Sequence, residues 1–363
     1  MRMELSTHSR CLALDLLHQY ENHISAELLW KSMGQQSFNS VRPFSALHCV
    51  SYFGIAEVAI DLIKMKRWDV NQKDSAGLTP LMWAAMQGRG EVVKLLLQHK
   101  RTQFDIPDTG YGRTALSWAA GSGHEEAVKL LLGPRFVNRR SIRRWWRKTR
   151  RVVGPLFGRK YVDPDKPDNR GQTPLSWAAR NGHGGVVKLL LAGKGISPDG
   201  PDDRGQTPLS WAARSGHDGV VELLLEREIV CPDKSDIRGQ TPLSWAAQNG
   251  HDGIVRLLLG QENVSPDKPE IAGQTPLSWA ARNGHDGVVR LLLGQEAVSP
   301  DMADNFGKTP LSWAAWNGHD EAVRLLLGQE DVNPDRPDND GKTPLSLAAR
   351  NGHDGVVSLL RAR

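Results

Sequence analysis

The chain has 363 residues, with 46 Lys or Arg against 41 Asp or Glu and a formal net charge of +5. Its three cysteines, Cys11, Cys49 and Cys231, lie far apart with no Cys-x-x-Cys pair, which excludes a disulfide framework and fits a reducing compartment, the cytoplasm or the nucleus. No long apolar run opens the chain, so neither a secretion signal nor a membrane span is expected.

Residues 1–40 include "CLALDLLHQYENHISAELLWKSM" (11–33), which predicts two helices around Asn22-His23. Leu12, Leu14, Leu16, Leu17, Leu28 and Leu29 would form an apolar cap over the first face of a repeated series. Ser45-Ala46-Leu47-His48 opens that series. Thr-Pro-Leu recurs at Thr79, Thr173, Thr207, Thr241, Thr275, Thr309 and Thr343, with Thr114-Ala115-Leu116 as a variant. The step is 34 residues from Thr173 onward and 35 from Thr79 to Thr114. A fixed period of this size predicts a stacked array, here one continuous array over 41–363 with about nine repeats starting near 45, 79, 114, 173, 207, 241, 275, 309 and 343.

"TPLSWAARNGHDGVV" (275–289) shows what each repeat is for. Thr275 and Pro276 open a helix, the threonine capping free N–H groups and the proline standing where none is needed. Leu277, Ala280 and Ala281 give it a small inner surface, and Asn283-Gly284 ends it in a tight turn. Val288, Val289 and Leu291–Leu293 predict a second helix, and "GQEAVSPDMADNFG" (294–307) a turn-rich loop with room for a short hairpin.

Between the third and fourth repeats the pattern breaks. Thr114 to Thr173 spans 59 residues, 25 more than one step, and the excess falls at 134–158. From Pro134 to Lys160 there are eleven Lys or Arg and no acid; without them the chain holds 35 basic against 41 acidic residues, a net of −6. "RRSIRRWWRKTRRVV" (139–153) sets Ile142, Trp145, Trp146, Thr149, Val152 and Val153 on one helical face. Arg139, Arg140, Arg143, Arg144, Arg147, Lys148, Arg150 and Arg151 supply the charge. Such a helix suits an anionic membrane, a calmodulin-like groove or nucleic acid. An inert loop insertion and a retained intron of 25 codons are the competing readings.

Serine, histidine and aspartate within nine residues suggest a hydrolytic triad until the stretch proves to be repeated along the chain. The Gly-His histidines (His124, His183, His217, His251, His285, His319, His353) cannot share a metal across a stacking distance of about 8–10 Å, and a hydrogen-bonding role within each turn is expected. The tryptophans Trp83, Trp118, Trp177, Trp211, Trp245, Trp279 and Trp313 read as core between repeats, not as a base-stacking platform. Leu347 takes their place in the last repeat. "GPLFGRK" (154–160) lacks the phosphate-loop spacing. No residue points to catalysis, a metal or a cofactor.

From about Phe44 onward these repeats resemble the ankyrin repeat, whose signature is Thr-Pro-Leu-His-x-Ala-Ala, Gly-His, then Val-Val-x-Leu-Leu-Leu. The departure is serine for the histidine after Thr-Pro-Leu, as at Ser176, Ser210, Ser244, Ser278 and Ser312; in that family the histidine ties loop to helix, and serine is expected to do so in part. The resemblance implies an all-α ankyrin-repeat solenoid of helix-turn-helix units with short hairpin loops and a helical N-terminal cap. It also implies a non-catalytic protein-interaction module. Residues that differ between repeats face outward in an array, and in this family they line a concave partner-binding groove. They are Arg170, Arg204, Arg238 and Phe306 at loop tips, and Arg180, Arg214, Gln248, Arg282, Trp316 and Arg350 at helix ends. Arg113, Gln172, Gln206, Gln240, Gln274, Lys308 and Lys342, each just after a loop glycine, are assigned to the same groove. The arginines call for a partner with acidic or phosphorylated groups; a merely solvated face is the plainer reading. Residues 11–33, with 44–71 and "GRTALSWAAGSGHEEAVKLLL" (112–132), are similar to the segment that joins the nucleotide-binding core to the ankyrin array in fungal NACHT-type (STAND, NOD-like) receptors. No such core is present, so that likeness concerns the sensor-like half alone.

Overall fold

The computed structural model describes residues 45–65, 68–133, 162–193 and 195–362. The expected N-terminal cap (1–40) and the basic insertion with Arg139–Arg151 lie outside them. The described residues form eighteen helices and no strand. In pairs, one pair per repeat, they are α1 (Ala46–Phe53) and α2 (Ala56–Lys64), α3 (Pro80–Met86) and α4 (Gly90–Gln98), α5 (Ala115–Gly121) and α6 (Glu125–Leu132), α7 (Pro174–Arg180) and α8 (Gly184–Leu191), and α9 (Pro208–Ser215) and α10 (Asp218–Leu225). The last four pairs are α11 (Pro242–Asn249) and α12 (Asp252–Leu259), α13 (Pro276–Asn283) and α14 (Asp286–Leu293), α15 (Pro310–Asn317) and α16 (Asp320–Leu327), and α17 (Pro344–Arg350) and α18 (Asp354–Arg361). They belong to two compact units: one of residues 1–178 with 185–197, the other of 179–184 with 198–363.

Each first helix starts as its letters dictate. Thr275 is extended (φ −83°, ψ 167°) and its Oγ1 accepts from the Ser278 N–H at 3.2 Å, with Pro276 in the first turn. Such a cap contributes about 1 kcal/mol. Leu277, Ala280, Ala281, Val288, Val289 and Leu292 are wholly buried, while Leu291 and Leu293 are half-buried. In the second compact unit the first helices α9, α11, α13, α15 and α17 pack in sequence, and α10, α12, α14, α16 and α18 do the same behind them. In the first unit α1, α3 and α5 form one row and α2, α4 and α6 the other. No repeat closes a core alone; burial comes from the neighbour.

The repeats are joined by bonds that the sequence places differently. The Gly-His histidines act between repeats, not within their own turns. His251 Nε2–H donates to the Arg214 carbonyl at 3.2 Å, His285 to Gln248 at 3.1 Å, His319 to Arg282 at 3.0 Å and His353 to Trp316 at 2.9 Å. Asn283 and Asn351 Nδ2 reach the same Gln248 and Trp316 carbonyls. The preceding glycine leaves room for the ring: Gly284 sits at φ +70°, and a Cβ there would lie 2.5 Å from His319 Nδ1. The loops are turns, and in the second compact unit main-chain bonds link successive tips from Arg204 to Asn339, such as Ile271 N–H to the Arg238 carbonyl at 2.9 Å.

In the first repeat His48 is buried, its Nδ1 accepting from Ser45 N–H at 3.1 Å and its Nε2 3.1 Å from the Gln72 and Leu78 carbonyls of the next loop. Burial holds its pKa below the ordinary imidazole value, against the opposing pull of Asp74. Deeper in the loops an ionic ladder runs from repeat to repeat: Lys234–Asp199, Lys268–Asp233 and Arg336–Asp301, each 3.0 Å. Met302 stands where the next cation belongs. Asp267 is therefore met by Ser299 alone, whose N–H donates to Oδ2 at 3.0 Å; its Oδ1 is buried without a partner, as in Asp199, Asp233 and Asp301, and burial raises its pKa.

Two outcomes are expected. A lowered folded pKa makes the His48 contribution full above the unfolded value of about 6.5 and lost as pH falls below it; amide exchange in α1 accelerates there, and His48→Gln removes that pH dependence. Met302→Lys supplies the missing rung. At neutral pH it raises the denaturation midpoint by the equivalent of about 0.5–1 kcal/mol, the range for partly exposed pairs, and the gain vanishes as acid protonates Asp267. A midpoint unchanged at neutral pH refutes the ladder.

Candidate protein-recognition face

An aspartate nine residues before every repeat tryptophan but Trp279 (ten at Trp118) organises the loop, although neither the helix signals nor the variable positions of the sequence single it out. Asp202 Oδ1 accepts from the Arg204 and Gln206 N–H groups at 2.9 Å, and its Oδ2 accepts from Trp211 Nε1–H at 3.0 Å. Asp74–Trp83, Asp108–Trp118, Asp168–Trp177, Asp236–Trp245 and Asp304–Trp313 repeat the bond at 2.7–3.2 Å. These carboxylates are buried, which is tolerable because the oxygens are met by donors. The serine of Thr-Pro-Leu-Ser takes no part in this bonding, since Ser210 Oγ stays with Thr207 Oγ1 at 3.1 Å. The tie that serine was expected to make is made one residue later, by the indole.

Glutamines after the loop glycine also lie elsewhere than expected. Gln172, Gln206, Gln240 and Gln274 are buried, as is Arg113. Gln206 Nε2 points to Asp236 Oδ2 at 3.4 Å, linking one loop to the next, and Gln240 Nε2 donates to Gln248 Oε1 at 3.3 Å. Arg113 is sandwiched between Trp118 and Trp177, 3.8 and 3.9 Å from the ring centroids, and donates to the Ser117 carbonyl at 2.7 Å. Its guanidinium fits because Gly121 occupies the helix end where the repeats from Thr79 onward otherwise carry Met, Arg, Gln or Trp; a Cβ there would meet Arg113 Nη2 at 2.5 Å.

The helix-end arginines clad the indoles from outside. In the second compact unit Arg180 lies 4.5 Å over Trp211, Arg214 lies 5.5 Å over Trp211 and 4.3 Å over Trp245, and Arg282 lies 5.3 Å over Trp279 and 4.3 Å over Trp313. Lys308 covers Trp313 at 4.7 Å and Trp316 at 3.7 Å. Each such contact contributes about 0.5–2 kcal/mol. The tryptophans are thus buried or half-buried, as a core between repeats requires. Desolvation, then the guanidiniums of Arg180, Arg204 and Arg238, pushes the Arg214 pKa below its ordinary value, against Asp236.

Among the expected site residues, Arg204, Arg238 and Arg350 are exposed, Arg170 is exposed in the first compact unit, and Arg180, Arg214, Gln248 and Arg282 are half-buried. Phe306 is 61 % exposed and Trp316 36 %; Ile237 and Ile271, on neighbouring tips, reach 65 % and 69 %. Arg180 and Arg214 meet over one indole, and Trp316 joins Lys308 and Trp313. Arg350 takes part in neither group. The triad residues serve separate bonds, Ser278 with Thr275 Oγ1 at 3.1 Å and His285 with the Gln248 carbonyl. Among the described residues no His, Cys, Asp and Glu group could hold a metal ion.

One repeat breaks the aspartate rule. Glu270 stands in its place and accepts the Gln274 N–H at 3.2 Å, leaving Trp279 Nε1–H buried without an acceptor. Glu270→Asp restores the bond and stabilises the chain by about 1 kcal/mol; the Trp279 indole proton becomes protected from exchange. An indole that still exchanges freely rules the repair out.

A family model described as ankyrin repeats (3 copies) matches residues 38–140, 148–234, 229–303 and 296–363. Comparison with curated proteins gave no match. Paired helices at a 34-residue step, threonine caps, Gly-His joints and a match over most of the sequence agree, and the chain belongs to the ankyrin-repeat family.

Proposed function

We propose that the loop tips and first-helix ends of this chain bind a partner protein, and that the array is a recognition module without catalysis of its own. Ankyrin repeats are in general protein–protein interaction modules. The observation that carries the assignment here is a division of labour. Positions shared by all repeats are buried or bonded to a neighbour, whereas the positions that vary (Ile237, Ile271, Phe306, Trp316 and the arginines beside them) stay open to solvent. Apolar and aromatic groups next to guanidiniums are the residue types that dominate interface energetics. The partner accordingly offers apolar side chains with carboxylate or phosphate groups.

Its likeness to NACHT-type receptors supports a place as the sensing or scaffolding part of a receptor system, in the cytoplasm or nucleus. Among the described residues no helix is long and apolar enough to cross a membrane. A second reading rests on the charge partition: with eleven of the 46 basic residues in 134–160, the insertion itself would contact an anionic surface or a calmodulin-like protein.

The test is partner capture by proximity labelling with the full chain, followed by direct binding of the candidate. The exposed pair Ile271→Asp/Phe306→Asp and the triple Arg180→Ala/Arg214→Ala/Arg282→Ala are expected to weaken binding by about tenfold or more, while deletion of 134–158 leaves it intact. Binding lost on the deletion, with a steep fall in salt, transfers the function to the insertion.

A further inference from the structure

Apolar side chains stand open on three successive loop tips of the second compact unit. Ile237 is 65 % exposed, Ile271 69 % and Phe306 61 %. Ile237 and Ile271 hold the same place in their turns, 34 residues apart, and Phe306 stands one place later in the third. The tips on either side are polar, Asp203-Arg204 before and Asn339-Asp340 after, all four exposed. A run of apolar groups with a polar rim is the pattern of a contact surface.

Main-chain bonds hold these tips as one row. Ile237 N–H donates to the Arg204 carbonyl at 3.0 Å, Ile271 N–H to Arg238 at 2.9 Å, Asn305 N–H to Ala272 at 3.0 Å and Asn339 N–H to Phe306 at 3.0 Å. Asn305 fills the isoleucine place in its turn, but its Nδ2 is spent on the Ile271 carbonyl at 2.9 Å. Asn339 Nδ2 goes in the same way to the Asn305 carbonyl at 3.0 Å. The turns are also pinned from beneath, Asp236 Oδ1 accepting the Arg238 N–H and Asp304 Oδ1 the Phe306 N–H, each at 2.9 Å. A row fixed before binding costs a partner little ordering.

The interval between the apolar groups selects the shape of that partner. Successive tips follow the stacking of the repeats, about 8–10 Å per step. An extended chain advances about 3.3 Å per residue, so about three residues cover one step, and an odd count turns the next side chain to the opposite face. Two residues fall short at about 6.6 Å and four overshoot at about 13 Å. An α-helix advances about 1.5 Å per residue; seven residues cover about 10.5 Å and return to the same face within about 20°.

Charge narrows the choice further. Arg238 shares its tip with Ile237 and Arg204 stands on the tip before, both exposed. Asp203 lies beside Arg204, and Asp202 and Asp236 keep their charge beneath the two tips, so no positive excess exists there to attract a polyanion. What the two arginines offer is directional, a donor edge at the rim of the apolar row, which a single carboxylate complements. At the far end Asp340 is already paired with Lys342 at 2.8 Å.

We propose that Ile237, Ile271 and Phe306 bind one amphipathic helix of the partner protein, apolar at seven-residue intervals and carrying a carboxylate at the end that meets Arg238. This rests on the recognition reading above and names the form of the partner. Three contacts at i, i+7 and i+14 span about 21 Å of helix.

The test pans the full chain against displayed random peptides of about 24 residues, long enough for that span. Recovered peptides are then measured by fluorescence anisotropy and circular dichroism. They are expected to share apolar residues at i, i+7 and i+14 with an acid near one end, and to become helical on binding. Ile271→Asp weakens them by about tenfold or more, as does Ile237→Asp/Phe306→Asp. Ile229→Asp, in the loop after α10 and 73 % exposed, leaves binding unchanged. Unchanged thermal midpoints confirm that these surface variants fold.

Peptides with apolar residues at every second position, bound without gaining helix, overturn the helix assignment and leave the recognition face standing. So do peptides indifferent to Ile271→Asp, and a library that yields no saturable binder. If sedimentation shows a dimer that Ile271→Asp returns to monomer, a second copy covers the row and the assignment falls. The recognition reading itself fails only if partner capture is indifferent to Ile271→Asp/Phe306→Asp and to the triple arginine variant.

Discussion

A single buried carboxylate per repeat sets the terms for the rest of the structure. Asp202, Asp236 and Asp304 each gather two loop N–H groups and one indole N–H. That fixes the loop against its own first helix and fixes the tryptophan ring in one orientation. Once the ring is fixed, its outer face is available to an arginine from the repeat before, as Arg180 uses Trp211 and Arg214 uses Trp245. The guanidinium then lies against the ring, where stacking holds it beside the loop. Loop order, aromatic burial and surface charge all descend from the aspartate.

This arrangement explains why a polar cluster can stand in for the histidine of the family signature. Where His48 is present it reaches forward to the carbonyls of the next loop. In later repeats serine withdraws to its threonine, and the Trp–Asp bond holds the loop within its own repeat while Gln206 and Gln274 make the forward reach to Asp236 and Asp304. The exception at Glu270 shows how little tolerance there is. One added methylene removes the acceptor from Trp279 although every other letter of the repeat is retained.

Much of the fold was legible from the letters because helix caps, turn glycines and apolar spacing are local. Thr275-Pro276, Asn283-Gly284 and Val288-Val289 each act within a few residues of themselves. What the letters hid was which repeat supplies a partner. His285 finds its carbonyl 37 residues back, at Gln248, and a repeat pattern looks the same whether a bond stays within one copy or crosses to the next. Glutamine after glycine likewise reads as a surface residue by type, yet Gln206 and Gln240 are buried by the following loop. The aspartate nine before tryptophan was visible as a spacing; its meaning was not, since a Pro-Asp loop already has a sufficient turn-forming explanation. Helix-end arginines are visible in the sequence as variable positions, but their stacking on indoles is a matter of the neighbour's ring.

In the second compact unit the joints also share a direction. The main-chain bonds Ile237 to Arg204 and Asn339 to Phe306, the histidine bonds and the cations of the Asp–Lys ladder all have the donor on the later repeat and the acceptor on the earlier one. Those that run the other way, Gln206, Gln274 and Arg290, are the long ones at 3.4 or 3.5 Å. Parting any two repeats therefore produces two unlike surfaces, one rich in hydrogens to give and one rich in lone pairs to receive them. Like surfaces do not match: two donor edges cannot satisfy each other, nor can two acceptor edges. An array built this way has a polarity, as a filament subunit does. In hydrogen bonding, such edges complement each other head to tail, the heterologous relation that extends a row.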